Sequence, residues 1–387
     1  MFRIRSFAAA LAFSLALSAP ASAQFYSQSR SIGVPAFTKG KAFNPDIGAN
    51  FLGLVQRGTG LSDSRINVPH NGFSLQEAEF QFTADVDVYL RAVALFSAEQ
   101  QNGATNYGIA PEEVFVETIS LPRVTLRAGK FKLAFGKHNQ LHTHAFPFLD
   151  APLIHQTLLG DEGLNEAGAS AAVLLPTDWY SELIVQGYSA GNETLFGPQR
   201  LDSNGLPVSG SPRTRDLGGL ARLKNLWDLT DDFTMELGVS GTQGKNQFDR
   251  ISTVLGGDLT FKWRPALGGK YHAVIWSTEY LEGMNRGTTD PATAAPAEKL
   301  GGVASWVQYQ FAERWWAQTR FEYVGMPHDA PLRIQSKQSA LLGFFPSEFS
   351  GLRLQYDRLK TQGARKTDHT VAFQYNVGIG AHPAHAY

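Results

Sequence analysis

The sequence contains no cysteine, so disulfide bonds and thiolate metal sites are excluded. It also has no excess charge of one sign: 34 lysines and arginines stand against 35 aspartates and glutamates. This balance argues against a nucleic-acid partner. After the first 23 residues no run of eighteen apolar residues occurs, so helical membrane spans are not expected.

The first 23 residues have the three parts of a secretory signal peptide. Arg3 and Arg5 form a positive start, residues 7–17 form a short apolar centre, and residues 21–23 (Ala-Ser-Ala) form a small-residue cleavage site. We expect the mature chain to begin at Gln24. Loss of two of the 34 basic residues leaves 32 against 35 acidic ones, a net charge of −3. The chain is therefore predicted to be exported.

The C-terminal segment 370–380 alternates between apolar side chains and small or polar ones. The residues on its apolar face are Val371, Phe373, Tyr375, Val377 and Ile379. Alternation over about ten residues has the length and pattern of a tilted membrane strand. With the final Tyr387, the segment resembles the assembly signal of bacterial outer-membrane barrels, which implies recognition by the barrel-assembly machinery. The alternative for this segment alone is an edge strand of a soluble β-sandwich.

Alternating runs of this kind recur about sixteen times along the chain. The predicted strands are 43–56, 72–85, 88–97, 112–120, 124–136, 164–175, 179–189, 216–227, 233–242, 252–263, 271–281, 302–311, 315–325, 336–345, 350–359 and 369–380. The connections between them alternate strictly between short turns and long loops. This rhythm is typical of an all-β transmembrane barrel with up-and-down antiparallel strands, short periplasmic turns and long external loops. We therefore predict a signal peptide (1–23), a short periplasmic segment (24–42) and a barrel in the bacterial outer membrane (43–387).

Two patterns support this prediction. Five tryptophans lie next to short turns, as expected for an aromatic girdle at a membrane surface: Trp179, Trp227, Trp263, Trp315 and Trp316. Charged residues occupy one face of the strands, which we assign to the lumen because a lipid-facing charge costs about 2–4 kcal/mol at mid-membrane. The predicted lumen-lining residues are Arg91, Lys130, Lys132, Arg222, Glu236, Arg320, Glu322 and Arg353. For each of them, a general electrostatic lining without a selective site is the alternative.

Residues 127–137, RAGKFKLAFGK, resemble a strand of the phosphate-selective porin O and P family. The preceding hairpin, from residue 114 to the Leu-Pro-Arg turn, and the acidic strand 72–87 resemble the same family. The resemblance covers residues 43–190, and beyond them only the strand count and the C-terminus. It implies a sixteen-stranded porin, a homotrimer, and a third external loop folded into the lumen. The sequence departs from the family where residues 133–135 lack its usual proline and where basic residues are scattered, which argues against phosphate selectivity.

The third external loop, predicted at 137–163, is rich in histidine. We expect it to form a pore constriction with the side chains of His138, His142, His144, Asp150, His155 and Asp161. In an extended segment, His142 and His144 point to the same side and can chelate one metal ion, with Asp150 or Asp161 completing the site. The loop is similar to that of porin-like outer-membrane proteins associated with zinc acquisition. The alternatives are neutral polar residues hydrogen-bonded along a loop, and a charge filter that changes with pH.

The predicted function is a water-filled channel for passive diffusion of ions or small hydrophilic solutes, without cofactor or catalysis. The expected partners are membrane lipid, solutes that include zinc, the assembly machinery and further copies of the chain. The first alternative is a specific receptor for zinc uptake, although only residues 24–42 precede the first strand, too few for the plug domain of such receptors. The second is a barrel enzyme, since residues 187–191 match G-x-S-x-G. That motif requires a strand turning into a helix, whereas Ser189 enters a loop.

Overall fold

The computed structural model describes most of the predicted barrel. The described residues are 45–61, 70–100, 107–192, 194–196, 199–201, 207–212, 216–246, 250–265, 271–285, 298–326 and 334–380. The predicted signal peptide, the predicted periplasmic segment and the terminal Tyr387 lie outside them.

Sixteen of the strands in the described residues form one closed antiparallel barrel. Their bounds are β1 Asp46–Gly58, β2 Gly72–Asp85, β3 Leu90–Gln100, β4 Tyr107–Thr118, β5 Val124–Lys132, β6 Asn165–Leu174, β7 Tyr180–Ser189, β10 Leu217–Thr230, β11 Phe233–Lys245, β12 Ile251–Trp263, β13 Ala273–Asn285, β14 Glu298–Ala312, β15 Trp315–Met326, β16 Gln335–Ser347, β17 Ser350–Thr361 and β18 Asp368–Gly380. Two shorter strands, β8 Gln199–Leu201 and β9 Pro207–Pro212, form a separate two-stranded sheet.

The barrel closes by pairing its first strand with its last. β1 lies antiparallel to β18 in a register that runs from Gly48 opposite Gly380 to Gly58 opposite Thr370. Every other barrel strand pairs with its neighbour in sequence, and β7 pairs directly with β10. Closure leaves no strand edge without a partner, which a sheet in lipid requires. The predicted up-and-down barrel of about sixteen strands is confirmed.

Side chains alternate between the two faces of the wall, as β18 shows. Val371 and Phe373 are 49% and 39% exposed, whereas the intervening Ala372 and Gln374 are 5% and 0% exposed. Period-two alternation thus sends apolar side chains outward and polar ones inward. The same division holds for the outward Leu352 and Leu354 on β17 and for the buried Arg353 between them.

Aromatic rings gather beside the short turns. Trp179 stacks on Trp227 with ring centroids 6.1 Å apart. Trp315 packs against Phe344 at 4.7 Å and against Phe311 at 6.5 Å. These rings are amphipathic or apolar groups at one end of the barrel, where a membrane–water interface favours them.

The strand β5 ends at Lys132, four residues before its predicted end. The reason is that the chain turns into the barrel at this point: Leu133 and Phe135 are fully buried. Gly136 then adopts a left-handed φ of +60°, which glycine accepts without steric cost. Apolar residues that the alternation assigned to the wall therefore belong to the interior.

The connection between β5 and β6, residues 133–164, is named loop 3. It contains two 3₁₀ turns, His138–Gln140 and Thr143–Ala145, and the helix α1, Leu153–Leu159. Among the described residues, no helix is long and apolar enough to cross a membrane.

The apolar side chains of loop 3 pack on the inner wall. Ile154 and Leu158 of α1 are buried in one hydrophobic cluster with Leu281 on β13 and Leu300 on β14. Glycines allow this close approach: a Cβ at Gly283 would lie 2.8 Å from Leu158, and one at Gly302 would lie 3.0 Å from Ile154. A second cluster buries Phe148 and Leu149 against Trp306, Leu341 and Ala372. Loop 3 is thus fixed to the barrel by apolar packing along its length.

Candidate functional site: loop 3 inside the barrel

The backbone of loop 3 is hydrogen-bonded to side chains of the inner wall. Glu279 on β13 accepts from the backbone nitrogens of Lys137 at 2.5 Å and His138 at 2.8 Å. Glu322 on β15 accepts from the nitrogen of Leu153 at 2.5 Å, and Gln355 on β17 accepts from that of Leu149 at 2.9 Å. The wall therefore supplies acceptors for backbone donors that no regular secondary structure satisfies. These contacts hold loop 3 across the interior of the barrel.

Asp150 is bound to two basic side chains of the wall. Its carboxylate accepts from the Arg320 guanidinium at 2.8 Å, from the Lys337 ammonium, and from Gln355 at 2.9 Å. The Arg320 guanidinium also lies over the Phe148 ring, 4.4 Å from its centroid. Burial alone would raise the pKa of Asp150, but Arg320 and Lys337 outweigh it and hold that pKa well below its usual range. Asp150 is a fixed anionic anchor of loop 3.

His138 and His155 form a second anchor around Glu279. The Nε2 of His155 lies 2.6 Å from the carboxylate of Glu279, and the His138 ring packs edge-on against that of His155 at 5.0 Å. The Phe146 ring lies 4.4 Å from His138. Burial, reinforced by the nearby His155, holds the pKa of His138 well below its ordinary value. His138 is consequently neutral at physiological pH.

His142 and His144 face three glutamates of the wall. The Nδ1 and Nε2 atoms of His142 lie 3.0 Å from Glu112 and 3.1 Å from Glu113. Glu79 lies 3.7 Å from Nδ1 of His142 and 3.2 Å from Nδ1 of His144. The two rings are parallel within 3°, with centroids 5.9 Å apart. Although burial opposes it, contact with Glu112 and Glu113 raises the pKa of His142 well above its ordinary value. We name these five residues the His142 cluster.

A β-bulge brings the two consecutive glutamates to the same side. In the β3–β4 pairing, Leu95 is opposite Glu113 and Phe96 is opposite Pro111, so Glu112 is an extra residue without its own partner. An extra residue interrupts strict alternation and redirects a side chain. Lys132 closes the arrangement, with its ammonium 3.0 Å from Glu112.

The predicted site residues are brought together only in part. The six candidates of the third external loop all lie in loop 3, and His142 and His144 both lie against Glu79, although a 3₁₀ turn replaces the expected extended segment. Asp150 does not complete a site with them, because Arg320 and Lys337 bind it, and Asp161 is exposed outside the cluster. That part of the metal prediction is wrong. The carboxylates near the histidines come from β2 and β4 instead, which the sequence does not indicate because the bulge and strand register decide it.

Most of the predicted lumen-lining residues make ion pairs or hydrogen bonds on the inner side of the barrel. The buried guanidinium of Arg222 binds Asp258 through two bonds of 2.8 and 2.9 Å. Glu236 pairs with Lys224 at 3.2 Å. The remaining contacts are Arg91 with Asp85, Lys130 with the Pro111 carbonyl, Lys132 with Glu112, Arg320 with Glu322, and Arg353 with the Phe146 carbonyl. Four of the six predicted basic residues are therefore paired with carboxylates, and Lys130 and Arg353 donate to carbonyl oxygens.

Two cavities border loop 3. One has a volume of about 330 Å³ and is lined by Glu112, Lys132, His138, Asp150 and Asp161, among others. The other, of about 580 Å³, lies between Asp150 and Asp161 of loop 3 and wall residues such as Gln56, Lys337 and Asp357. The loop fills one side of the interior with apolar side chains and leaves polar space beside β1, β2, β16, β17 and β18.

The fold and site define a porin-like outer-membrane β-barrel. The solved structures that it resembles include an anion-selective porin from Comamonas acidovorans (TM-score 0.55, 10% identity, 87% of this chain and 99% of that one). They also include the outer-membrane channel DcaP of Acinetobacter baumannii (TM-score 0.55, 11% identity, 87% and 97%), and OmpT of Vibrio cholerae expressed in the outer membrane (TM-score 0.53, 8% identity, 87% and 97%). At these identities the likeness shows the fold, which is that of bacterial outer-membrane proteins, in agreement with the predicted location.

No protein-family model matches the chain. A protein of Aquifex aeolicus (strain VF5), described as uncharacterized, is 27% identical over 392 residues, which cover 90% of this chain and 81% of that protein. Membership of the phosphate-selective porin O and P family stays a prediction.

Proposed function

We propose that the chain forms a water-filled channel through the outer membrane, that ions or small hydrophilic solutes diffuse through it passively, and that it is not an enzyme. Loop 3 is the constriction of this channel. The observation that carries the proposal is the attachment of loop 3 to inward-facing side chains of β2, β4, β13, β15, β16 and β17, with polar cavities left beside it. A loop that crosses the interior narrows the path without closing it.

Within the constriction, five of the six predicted residues differ in their roles as follows. Both Asp150 and Asp161 border the cavities, but only Asp161 offers an exposed carboxylate to passing solute, because Arg320 and Lys337 hold that of Asp150. His138, His144 and His155 are 4%, 7% and 3% exposed, so their contribution is to position the loop. Most of the basic wall residues already bind carboxylates or carbonyls, which weakens the case for phosphate and other multivalent anions as preferred solutes.

A homotrimer is the proposed assembly. One solved relative in fold, OmpT of Vibrio cholerae, is described in a trimer form. The outer surface of this chain carries a shallow apolar groove across β2 to β5. Its lining includes small side chains that permit close approach of a second copy: Ala84, Ala92, Ala94 and Ala128. The membrane lipid covers the remaining apolar outer surface, and β18 is the proposed recognition element for the assembly machinery.

We also propose that divalent metal ions contact the histidine-rich loop 3. His142 offers imidazole nitrogen beside the carboxylates of Glu79 and Glu112, and this combination suits zinc and related ions. The same observation favours the second candidate function, a channel dedicated to zinc uptake. Zinc flux that greatly exceeds calcium flux through reconstituted vesicles would select this second function.

The test of channel formation is single-channel recording of the purified protein in planar bilayers without zinc. We expect stepwise conductance, and steps in groups of three for a trimer. A salt gradient then gives the preference for cations or anions from the reversal potential. Folding is checked by the heat-dependent electrophoretic mobility of the barrel. If the folded protein shows no conductance, the channel is refuted.

A further inference from the structure

We propose that loop 3 carries a resident divalent-metal site, formed by His142 with Glu79 and Glu112, in which a zinc-like ion fastens the loop to the wall. The inference rests on the proposed role of loop 3 as the constriction. It concerns an ion that stays bound and holds the loop, and it is therefore distinct from transport of the same ion through the channel.

The three side chains already converge. One ligand atom from each of Glu79, Glu112 and His142 lies within 4.8 Å of the other two. Ligands about 2.0–2.1 Å from a tetrahedral zinc ion lie roughly 3.3 Å apart. The distances between the three ligand atoms therefore need to shorten by about 1.5 Å at most for all three to bind one ion. Rotation of the carboxylate side chains supplies this change. Glu113 and His144 flank the site and offer further donors.

Two buried oxygens lack the hydrogen bonds that buried carboxylates need. The Oε2 atoms of Glu79 and Glu112 receive no hydrogen bond in the described part of the chain. The Glu79 side chain is only 1% exposed. A buried acceptor without a donor costs about 1–3 kcal/mol, and more when it is charged. A cation beside the Oε2 of Glu79, the oxygen that faces both histidines, gives this buried atom a partner.

The balance of charge also favours a divalent cation. Three carboxylates, Glu79, Glu112 and Glu113, surround one imidazole, and the nearest ammonium is that of Lys132 on Glu112. With His142 protonated the group retains one negative charge. A divalent ion bound to neutral His142 gives three negative charges against three positive ones, so the buried cluster becomes neutral.

The donor atoms select the class of ion. An imidazole nitrogen with carboxylate oxygens, in a chain without cysteine, suits zinc, manganese or ferrous iron. Calcium and magnesium prefer sites made of oxygen alone. Lys132 and His142 both contact the Oε1 atom of Glu112, each at 3.0 Å, so Lys132 acts as an outer partner that orients this ligand.

The site joins separate elements of the fold. His142 belongs to loop 3, Glu79 to β2 and Glu112 to β4, whereas Asp150 ties the loop to β15 and β16 on another side of the barrel. A bound ion thus gives the constriction a third anchor, beside those at Asp150 and Glu279. Removal of the ion leaves the loop attached at Asp150 and Glu279 and increases its motion near His142.

The test is calorimetric titration of the intact, metal-stripped barrel with zinc chloride. We expect the wild-type chain to bind one zinc ion. Glu79→Gln or His142→Gln should lower the affinity for zinc at least tenfold. His272→Gln and Glu313→Gln change an exposed histidine and an exposed glutamate away from the cluster, and they retain wild-type affinity. Heat-dependent electrophoretic mobility shows whether each barrel is folded. Equal zinc affinity of folded wild type and folded His142→Gln would overturn the site.

A second measurement follows the loop itself. Because the chain has no cysteine, Glu162→Cys accepts a single spin label at an exposed position of loop 3. Zinc is expected to reduce the mobility of this label, and to leave it unchanged when Glu79→Gln is added. A label that zinc does not affect would overturn the anchoring role. Normal conductance without zinc binding would refute only this inference, whereas absent conductance refutes the proposed channel.

Discussion

The carboxylate of Asp150 and the guanidinium of Arg320 meet 2.8 Å apart, although 170 residues separate them in sequence. The same guanidinium donates to the backbone carbonyl of Asp150 at 2.9 Å. Arg320 therefore binds both the side chain and the main chain of one loop residue. This contact, with the Lys337 ammonium beside it, determines where loop 3 crosses the barrel.

Replacement of Asp150 by alanine should loosen loop 3. The substitution leaves buried Arg320 and Lys337 without their shared carboxylate, and the free energy of unfolding should fall by about 1–3 kcal/mol, since Asp150 itself is partly exposed. Single-channel recordings should show larger current fluctuations. Asp161→Ala removes an exposed carboxylate of the same loop and is the matched control. Equal fluctuations in the two variants would show that Asp150 does not restrain the constriction.

Acidification should weaken the attachment of loop 3 through His138. The pKa of His138 lies below its ordinary value of about 6.5 because the ring is buried. The unfolded or detached chain therefore binds the proton more readily than the attached loop does. The contribution of neutral His138 to the stability of the attached loop is complete above about pH 6.5 and decreases as the pH falls below that value. Loop mobility, measured with the spin label at Glu162→Cys, should rise in that range. His138→Gln should reduce the pH dependence, and an unchanged profile would exclude His138 as its source.

Asp150 adds a second dependence at lower pH. Its pKa is held below the usual value by Arg320 and Lys337, so its contribution is complete above about pH 4 and is lost as the pH falls toward the lowered pKa. Thermal unfolding of wild type and Asp150→Asn, measured between pH 7 and pH 2, should show a stability difference that shrinks with acid. A stability difference between wild type and Asp150→Asn that stays constant over this pH range would contradict the ion pairs of Asp150 with Arg320 and Lys337.

Gly302→Ala should displace helix α1. A Cβ at this position would lie 3.0 Å from the Cδ1 of Ile154 and 2.6 Å from the backbone oxygen of Tyr323, and overpacking of this kind costs about 1–3 kcal/mol. Gly219→Ala is the control, since nothing lies within 4 Å of its added carbon. A lower unfolding temperature is expected for the first variant and a wild-type value for the second. Equal unfolding temperatures would contradict tight packing of α1 on β14.

The barrel could be predicted from the sequence because alternation and turn spacing are local properties. The end of β5 was misplaced because residues 133–135 alternate plausibly, while their burial depends on wall residues far away in sequence. The histidine partners could not be predicted for the same reason. Glu112 and Glu113 reach His142 together only because of the bulge opposite Leu95 and Phe96. The binding of Asp150 depends on Arg320 and Lys337, which are 170 and 187 residues further along the chain.

The most direct test of the central claim combines conductance with chemical modification of loop 3. The Glu162→Cys variant is recorded in planar bilayers before and after addition of a charged, membrane-impermeant thiosulfonate reagent. If loop 3 is the constriction, we expect stepwise conductance that falls stepwise on modification, while the cysteine-free wild type is unaffected. Conductance that modification leaves unchanged would contradict a constriction at loop 3, and absence of conductance would contradict the channel itself.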